Sequence, residues 1–136
     1  MTITFQETSS LPQGSSSDEM IQAGIRAYAK IVEFWELKNN AASDILDVEP
    51  RTWTRMKNGS WTGKLTQDQT LRLSAIIGLY KGLHLYFSEK LADRWFQLPN
   101  SGPPFMGRSP MDYVRKGGLP ALLATRNYVD ALRGGL

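Results

Sequence analysis

The segment from Leu71 to Phe87, LRLSAIIGLYKGLHLYF, sets Leu71, Leu73, Ile76, Ile77, Leu79, Tyr80, Leu83 and Leu85 to Phe87 around more than one face of a helix. A helix with one wet side carries a single apolar stripe. This one therefore needs cover on several sides, as a central strut buried between other helices or within a homodimer interface. Thr66-Gln67-Asp68-Gln69 starts it, Ser88 to Phe96 continues or restarts it, and Pro99 ends it. Nowhere in the chain does a period-two strand pattern of useful length occur. The expected class is all-α: an amino-terminal helix-turn-helix unit packed on the long central helix, followed by a small carboxyl-terminal helical domain.

The segments before the strut supply that first unit. Residues 1–17 are polar, contain Pro12 and Gly14 and end in a serine run, a composition expected to form a flexible arm. Ser16 and Glu19 then have capping-box spacing, and Ile21, Ile25, Tyr28, Val32 and Trp35 recur at four- and three-residue intervals, which predicts an amphipathic first helix. Lys38-Asn39-Asn40 breaks it and offers an asparagine cap for a short helix from Ala41 to Leu46. Asp47-Val48 makes a turn, and Pro50 to Lys57 a third helix closed by Asn58-Gly59. Ala42, Leu46, Val48, Trp53 and Met56 fall where a helix-turn-helix needs apolar packing, with Ser43 at the close approach. Asp47 stands where the turn commonly has glycine; aspartate tolerates the left-handed backbone better than most residues. This division gives an arm (1–17), a helix-turn-helix unit (18–64) and a helical domain (65–136).

On the third helix, Arg51, Thr52, Thr54 and Arg55 face away from Trp53 and Met56, and Lys57 lies near the helix end. These are groups suited to a major groove: arginine pairs with guanine, threonine contacts a thymine methyl or a phosphate, and lysine neutralises phosphate. Ordinary solvated charges on an exposed helix have the same pattern. The net charge of +3 is too small to decide between the two. A single short reading helix also gives little affinity alone, so operator binding carries with it the expectation of a homodimer.

The last stretch, from Trp95 to Leu136, strings together a Pro99-Asn100 breaker, Gly107 with Ser109-Pro110 opening a helix to Lys116, a Gly117-Gly118 stop, and a final helix to Leu132. Arg126, Tyr128 and Arg133-Gly134-Gly135 close it. With Gln69, Arg72 and the IGLYKGLH sequence, these residues resemble the carboxyl-terminal toxin-binding half of the Xre/MbcA/ParS-type antitoxin family, over about Leu65 to the end. The resemblance implies a cognate toxin partner, commonly a RES-type enzyme that degrades NAD, whose active-site cleft the end of the antitoxin blocks. By the same resemblance Arg126, Tyr128, Arg133, Gly134 and Gly135 are the candidate toxin contacts. Met106, Met111 and Tyr113 are residue types that interfaces favour, whereas Met111, Leu122, Leu123, Val129 and Leu132 suit packing within the domain.

Binding rather than catalysis is expected. His84, the one histidine, sits in the most apolar helix, where a packed or hydrogen-bonded role outweighs a catalytic one. Gly107-Arg108-Ser109-Pro110 lacks the strand that precedes a nucleophile elbow, and Gly117-Gly118 lacks a phosphate-loop lysine. Asp44 and Asp47 have no apolar pocket to separate their pKa values. With no cysteine and no His/Cys cluster, neither a metal site nor a cofactor is expected. The missing cysteines, the lack of a signal-like start and the lack of a span of roughly 18 apolar residues point to a cytoplasmic protein outside the membrane. The competing readings are a stand-alone helix-turn-helix regulator and, more remotely, a polar-localisation scaffold.

Overall fold

The computed structural model describes residues 17–134. Every regular element among them is helical: α1 (Ser17–Phe34), α2 (Asn39–Leu46), α3 (Pro50–Asn58), α4 (Gln67–Tyr86), α5 (Glu89–Arg94) with a 3-10 turn at Trp95–Gln97, and α6 (Pro110–Arg133). The arm expected over residues 1–17 lies outside the described residues except for Ser17, the first residue of α1. The proposed Ser16 cap lies outside them as well.

One buried cluster runs through the helices, from Ile25 and Tyr28 on α1 through Leu46 and Trp53 to Ile76, Leu83, Phe96, Leu122 and Val129. The strut α4 is its axis: Leu73 and every residue from Ala75 to Tyr80 are buried. Packing of α1 on one side and α6 on another explains why its sequence shows no single apolar stripe. The two ends differ from expectation. Leu71 is 45% exposed, Leu85 71% and Tyr86 46%, because no described helix covers those positions.

Local chemistry fixes the boundaries. Thr66 accepts from Gln69 N–H while the Gln69 side chain accepts from Thr66 N–H, a reciprocal cap that starts α4. Ser109 accepts from Asp112 N–H and Pro110 follows it, so α6 begins where the turn chemistry indicated. The sequence leaves open whether Ser88 to Phe96 continues the strut; it restarts, because Phe87 turns extended and α5 begins anew. Trp95 therefore opens a 3-10 turn after a short helix rather than ending a long one. The two expected carboxyl-terminal helices are segments of α6, separated by a sharp break at Gly118 (φ 67°, ψ −149°). That backbone region is essentially reserved for glycine, which is the physical content of the Gly117-Gly118 stop.

Candidate functional site

Helices α2 and α3 form the helix-turn-helix, and its turn is held from outside. Asp47 takes the left-handed backbone (φ 60°, ψ 50°) that a glycine would adopt with less strain. Its carbonyl accepts from Gln69 Nε2 at 2.8 Å, and the neighbouring Ile45 carbonyl accepts from Arg72 Nη1 at 3.3 Å. Gln69 and Arg72, which stood out in the sequence for a family likeness, thus tie the strut to the turn. Within the unit Ala42, Ser43, Leu46, Trp53 and Met56 are buried, and Tyr28 of α1 donates from its hydroxyl to the Ala42 carbonyl at 2.7 Å. Burial first, and the Asp44 carboxylate second, push the Tyr28 hydroxyl well above the ordinary tyrosine range.

The asparagine expected to cap α2 does not stand at the N-cap position. Helix α2 starts at Asn39 behind Lys38, whose side chain makes no cap; within the first turn Asn40 Oδ1 accepts from Ala41 N–H at 2.8 Å. Asn39 Oδ1 instead accepts from Trp53 Nε1 at 3.3 Å and from Lys57 Nζ at 2.8 Å, bracing α3 against α2. Lys57 therefore reaches any ligand as a charge already anchored to the protein.

Arg51, Thr54 and Arg55 lie on the exposed side of α3, as their spacing implied. Among the described residues the Arg51 and Arg55 side chains have no hydrogen-bond or ion-pair partner, while the Thr54 hydroxyl donates back to the Pro50 carbonyl. Thr52 departs from the pattern: it is half-buried and lines a cleft of about 290 Å³ with Glu49, Met56, Trp61 and Lys64. The arrangement offers two free guanidinium groups on a braced helix.

The second group of candidates sits on α6. Arg126 lies across α4 at Gly78, where any added Cβ would overlap its guanidinium, and it reaches Asp130 at 3.9 Å. Arg133 pairs with the same carboxylate at 3.5 Å. Tyr128 is half-buried rather than presented to solvent. Its ring stacks on Trp95 (centroids 6.3 Å apart) and meets Phe105 edge-on (5.2 Å), with its hydroxyl against Gly102. Met111 and Tyr113 also pack on the core; Met106, by contrast, is 82% exposed. Leu122 and Val129 are buried as expected, but Leu123 is 41% exposed. Gly134 is exposed at the helix end, and Gly135 lies outside the described residues.

Two arginine contacts join the halves. Arg115 donates from Nε and Nη2 to Asp44 Oδ2 at 3.1 and 2.7 Å, and Arg72 spans Asp68, the Ile45 carbonyl and the break at Gly118. His84 Nε2 lies 2.8 Å from Asp93 Oδ1 and its ring packs on Tyr80 at 4.2 Å, a clamp between α4 and α5. The Tyr80 hydroxyl is shifted upward by burial, with Asp93 and Glu89 adding to the effect. Among the described residues no group of three or more His, Asp or Glu side chains could hold a metal ion, and no helix is long and apolar enough to cross a membrane.

Comparison with known proteins adds to this geometry. Residues 82–135 match the family model described as the antitoxin Xre/MbcA/ParS C-terminal toxin-binding domain. An uncharacterized protein of Sinorhizobium fredii, y4oB, is 32% identical over 123 residues, which are 89% of this chain and 92% of that protein. The crystal structure of the Mycobacterium tuberculosis MbcT–MbcA toxin–antitoxin complex contains a chain of the same fold, with a TM-score of 0.56 at 24% identity, over 85% of this chain and 96% of that one. The sequence expectation missed the exposed end of α4, where Leu85 and Tyr86 fall inside the matched domain.

Proposed function

This chain belongs to the Xre/MbcA/ParS-type antitoxin family, and from that premise we propose that it neutralises a cognate toxin by docking its carboxyl-terminal helices on it. The observation that carries the reading is the toxin-binding domain match over residues 82–135. It covers the end of α4, α5 and all of α6, where Arg133 and Gly134 are exposed. The partner is a RES-type, NAD-degrading enzyme by family resemblance. The end of the chain acts as its plug, since Gly134-Gly135 carries no side chain to clash in a narrow cleft.

The same protein represses its own operon as a homodimer through α3. Arg51 and Arg55 support this role because neither guanidinium has a hydrogen-bond or ion-pair partner among the described residues, and paired half-sites give the affinity that one short helix lacks. Arg126, Tyr128, Arg133, Gly134 and Gly135 remain the proposed toxin contacts. For Tyr128 the role is indirect: it holds the 95–105 region against α6.

Co-expression tests the reading. The full chain should rescue growth of cells expressing the toxin encoded in the same operon, and deletion of Arg133 to Leu136 should abolish the rescue. Full protection by the truncated chain would remove the tail from the mechanism. Absence of any rescue by the full chain would leave a stand-alone regulator as the better account.

A further inference from the structure

The glycines of α4 define how α6 lies on it. Gly78 faces Arg126, and one turn later a Cβ at Gly82 would sit 3.3 Å from Val129 Cγ1, 3.6 Å from Asp130 Oδ1 and 3.7 Å from Arg133 Nη1. Both steps run in the same direction along the two helices, so α4 and the second segment of α6 are parallel. Their carboxyl ends therefore lie at the same end of the molecule. Leu85 and Tyr86 follow Gly82 by about one turn, as Arg133 follows Val129. The terminal residues of α6 emerge beside the exposed end of the strut.

That end is apolar where solvent would favour polar groups. Leu85 is 71% exposed and Tyr86 46%, and Tyr86 is held edge-on to Phe87 at 4.7 Å, whose ring stacks in turn on the buried Trp95. A tyrosine fixed in this way loses little freedom on binding, which suits an interface anchor. In sequence, the stretch from Lys81 to Arg94 and the end of α6 carry five cations, Lys81, Lys90, Arg94, Arg126 and Arg133, against Glu89, Asp93 and Asp130; Arg133, which shares Asp130 with Arg126, stands at the same end as the apolar pair.

We infer that Leu85 and Tyr86 form the apolar anchor of the toxin interface, continuous with the end of α6, and that they fit an apolar socket rimmed by carboxylates on the toxin. The inference rests on the toxin-binding reading above: both residues fall inside the matched domain, residues 82–135. The tail then acts as a plug aimed by this anchor, because an anchored neighbour raises the effective concentration of a short attached segment.

The test is calorimetric titration of the purified full-length chain into the purified toxin encoded in the same operon. Leu85→Glu should weaken binding by about tenfold or more, and more at low salt than at high salt, because the new charge meets acidic groups. Its melting temperature should stay near that of the parent chain, since the side chain is 71% exposed. Leu85→Ser, without the charge, serves as the second variant and should weaken binding to a smaller extent. Tight binding by the parent chain and equally tight binding by both variants would overturn the anchor while leaving the toxin reading intact. No binding by the parent chain would overturn the toxin reading, and the anchor with it. Loss of self-association in Leu85→Glu with unchanged toxin affinity would assign the surface to a second copy of this chain and overturn the inference.

Discussion

Helices α3 and α6 both display arginines, yet the same side chain does different work on each. On α3, the Arg51 and Arg55 guanidinium groups have no hydrogen-bond or ion-pair partner among the described residues, and the helix is held by what lies beneath it: Trp53, Met56 and the Asn39 brace. On α6, Arg115 is committed to Asp44, Arg126 lies across Gly78, and Arg126 and Arg133 share Asp130. Tyr128 is likewise part of the aromatic packing with Trp95 and Phe105. The difference teaches that a residue's chemistry and its availability are separate facts. Substitutions of Arg51 and Arg55 should leave stability untouched, whereas those of the α6 arginines and Tyr128 mix recognition with stability.

The sharpest test of that contrast is Tyr128→Ala. It removes a half-buried ring from two aromatic contacts and should cost about 2–3 kcal/mol, somewhat less than the roughly 3–5 kcal/mol of a fully buried aromatic. Chemical denaturation would read the loss; an unchanged midpoint would make Tyr128 a free contact residue like the α3 arginines. Next in size is Gly118→Ala. Its φ of 67° with ψ of −149° strains any side chain, and a Cβ there would lie 3.2 Å from Arg72 Nη2. A cost of about 1–3 kcal/mol is expected, visible as a lower melting temperature, and a stabilised variant would show that α6 has no need of its break.

Arg55→Ala marks the small end of the scale. Its melting temperature should match the parent chain, while gel-shift affinity for the operator at matched salt falls. One lost bidentate base contact corresponds to about 1–3 kcal/mol of discrimination. Unchanged affinity would erase the contrast between the helices, leaving the α3 arginines as plain surface charge.

How much of this was legible beforehand varies by element. The amphipathic spacing of α1, the Pro50 start and Gly59 stop of α3, and the Ser109-Pro110 opening of α6 depend on neighbours a few residues apart, and the folded chain keeps them. The left-handed Asp47 was readable for the same reason. The Asn39-Asn40 pair was harder to read, because a cap and a cross-helix brace look alike in sequence; only the arrival of Trp53 and Lys57 shows that Asn39 is a brace. The exposure of Tyr128 was not legible, because a tyrosine on a helix face reads the same whether an aromatic partner folds over it or not.

The order and class of the helices, their main caps and the break at Gly118 follow from the sequence alone, because backbone sterics and short-range hydrogen bonding act within a few residues. Tertiary structure decided the rest. The register of α6 on Gly78 and Gly82 sets which arginines are occupied, and it leaves Leu85 and Tyr86 uncovered at the end of the strut. No local pattern encodes that outcome, since exposure depends on which distant helix reaches a residue, and α6 lies beside α4 only once the intervening chain has folded back.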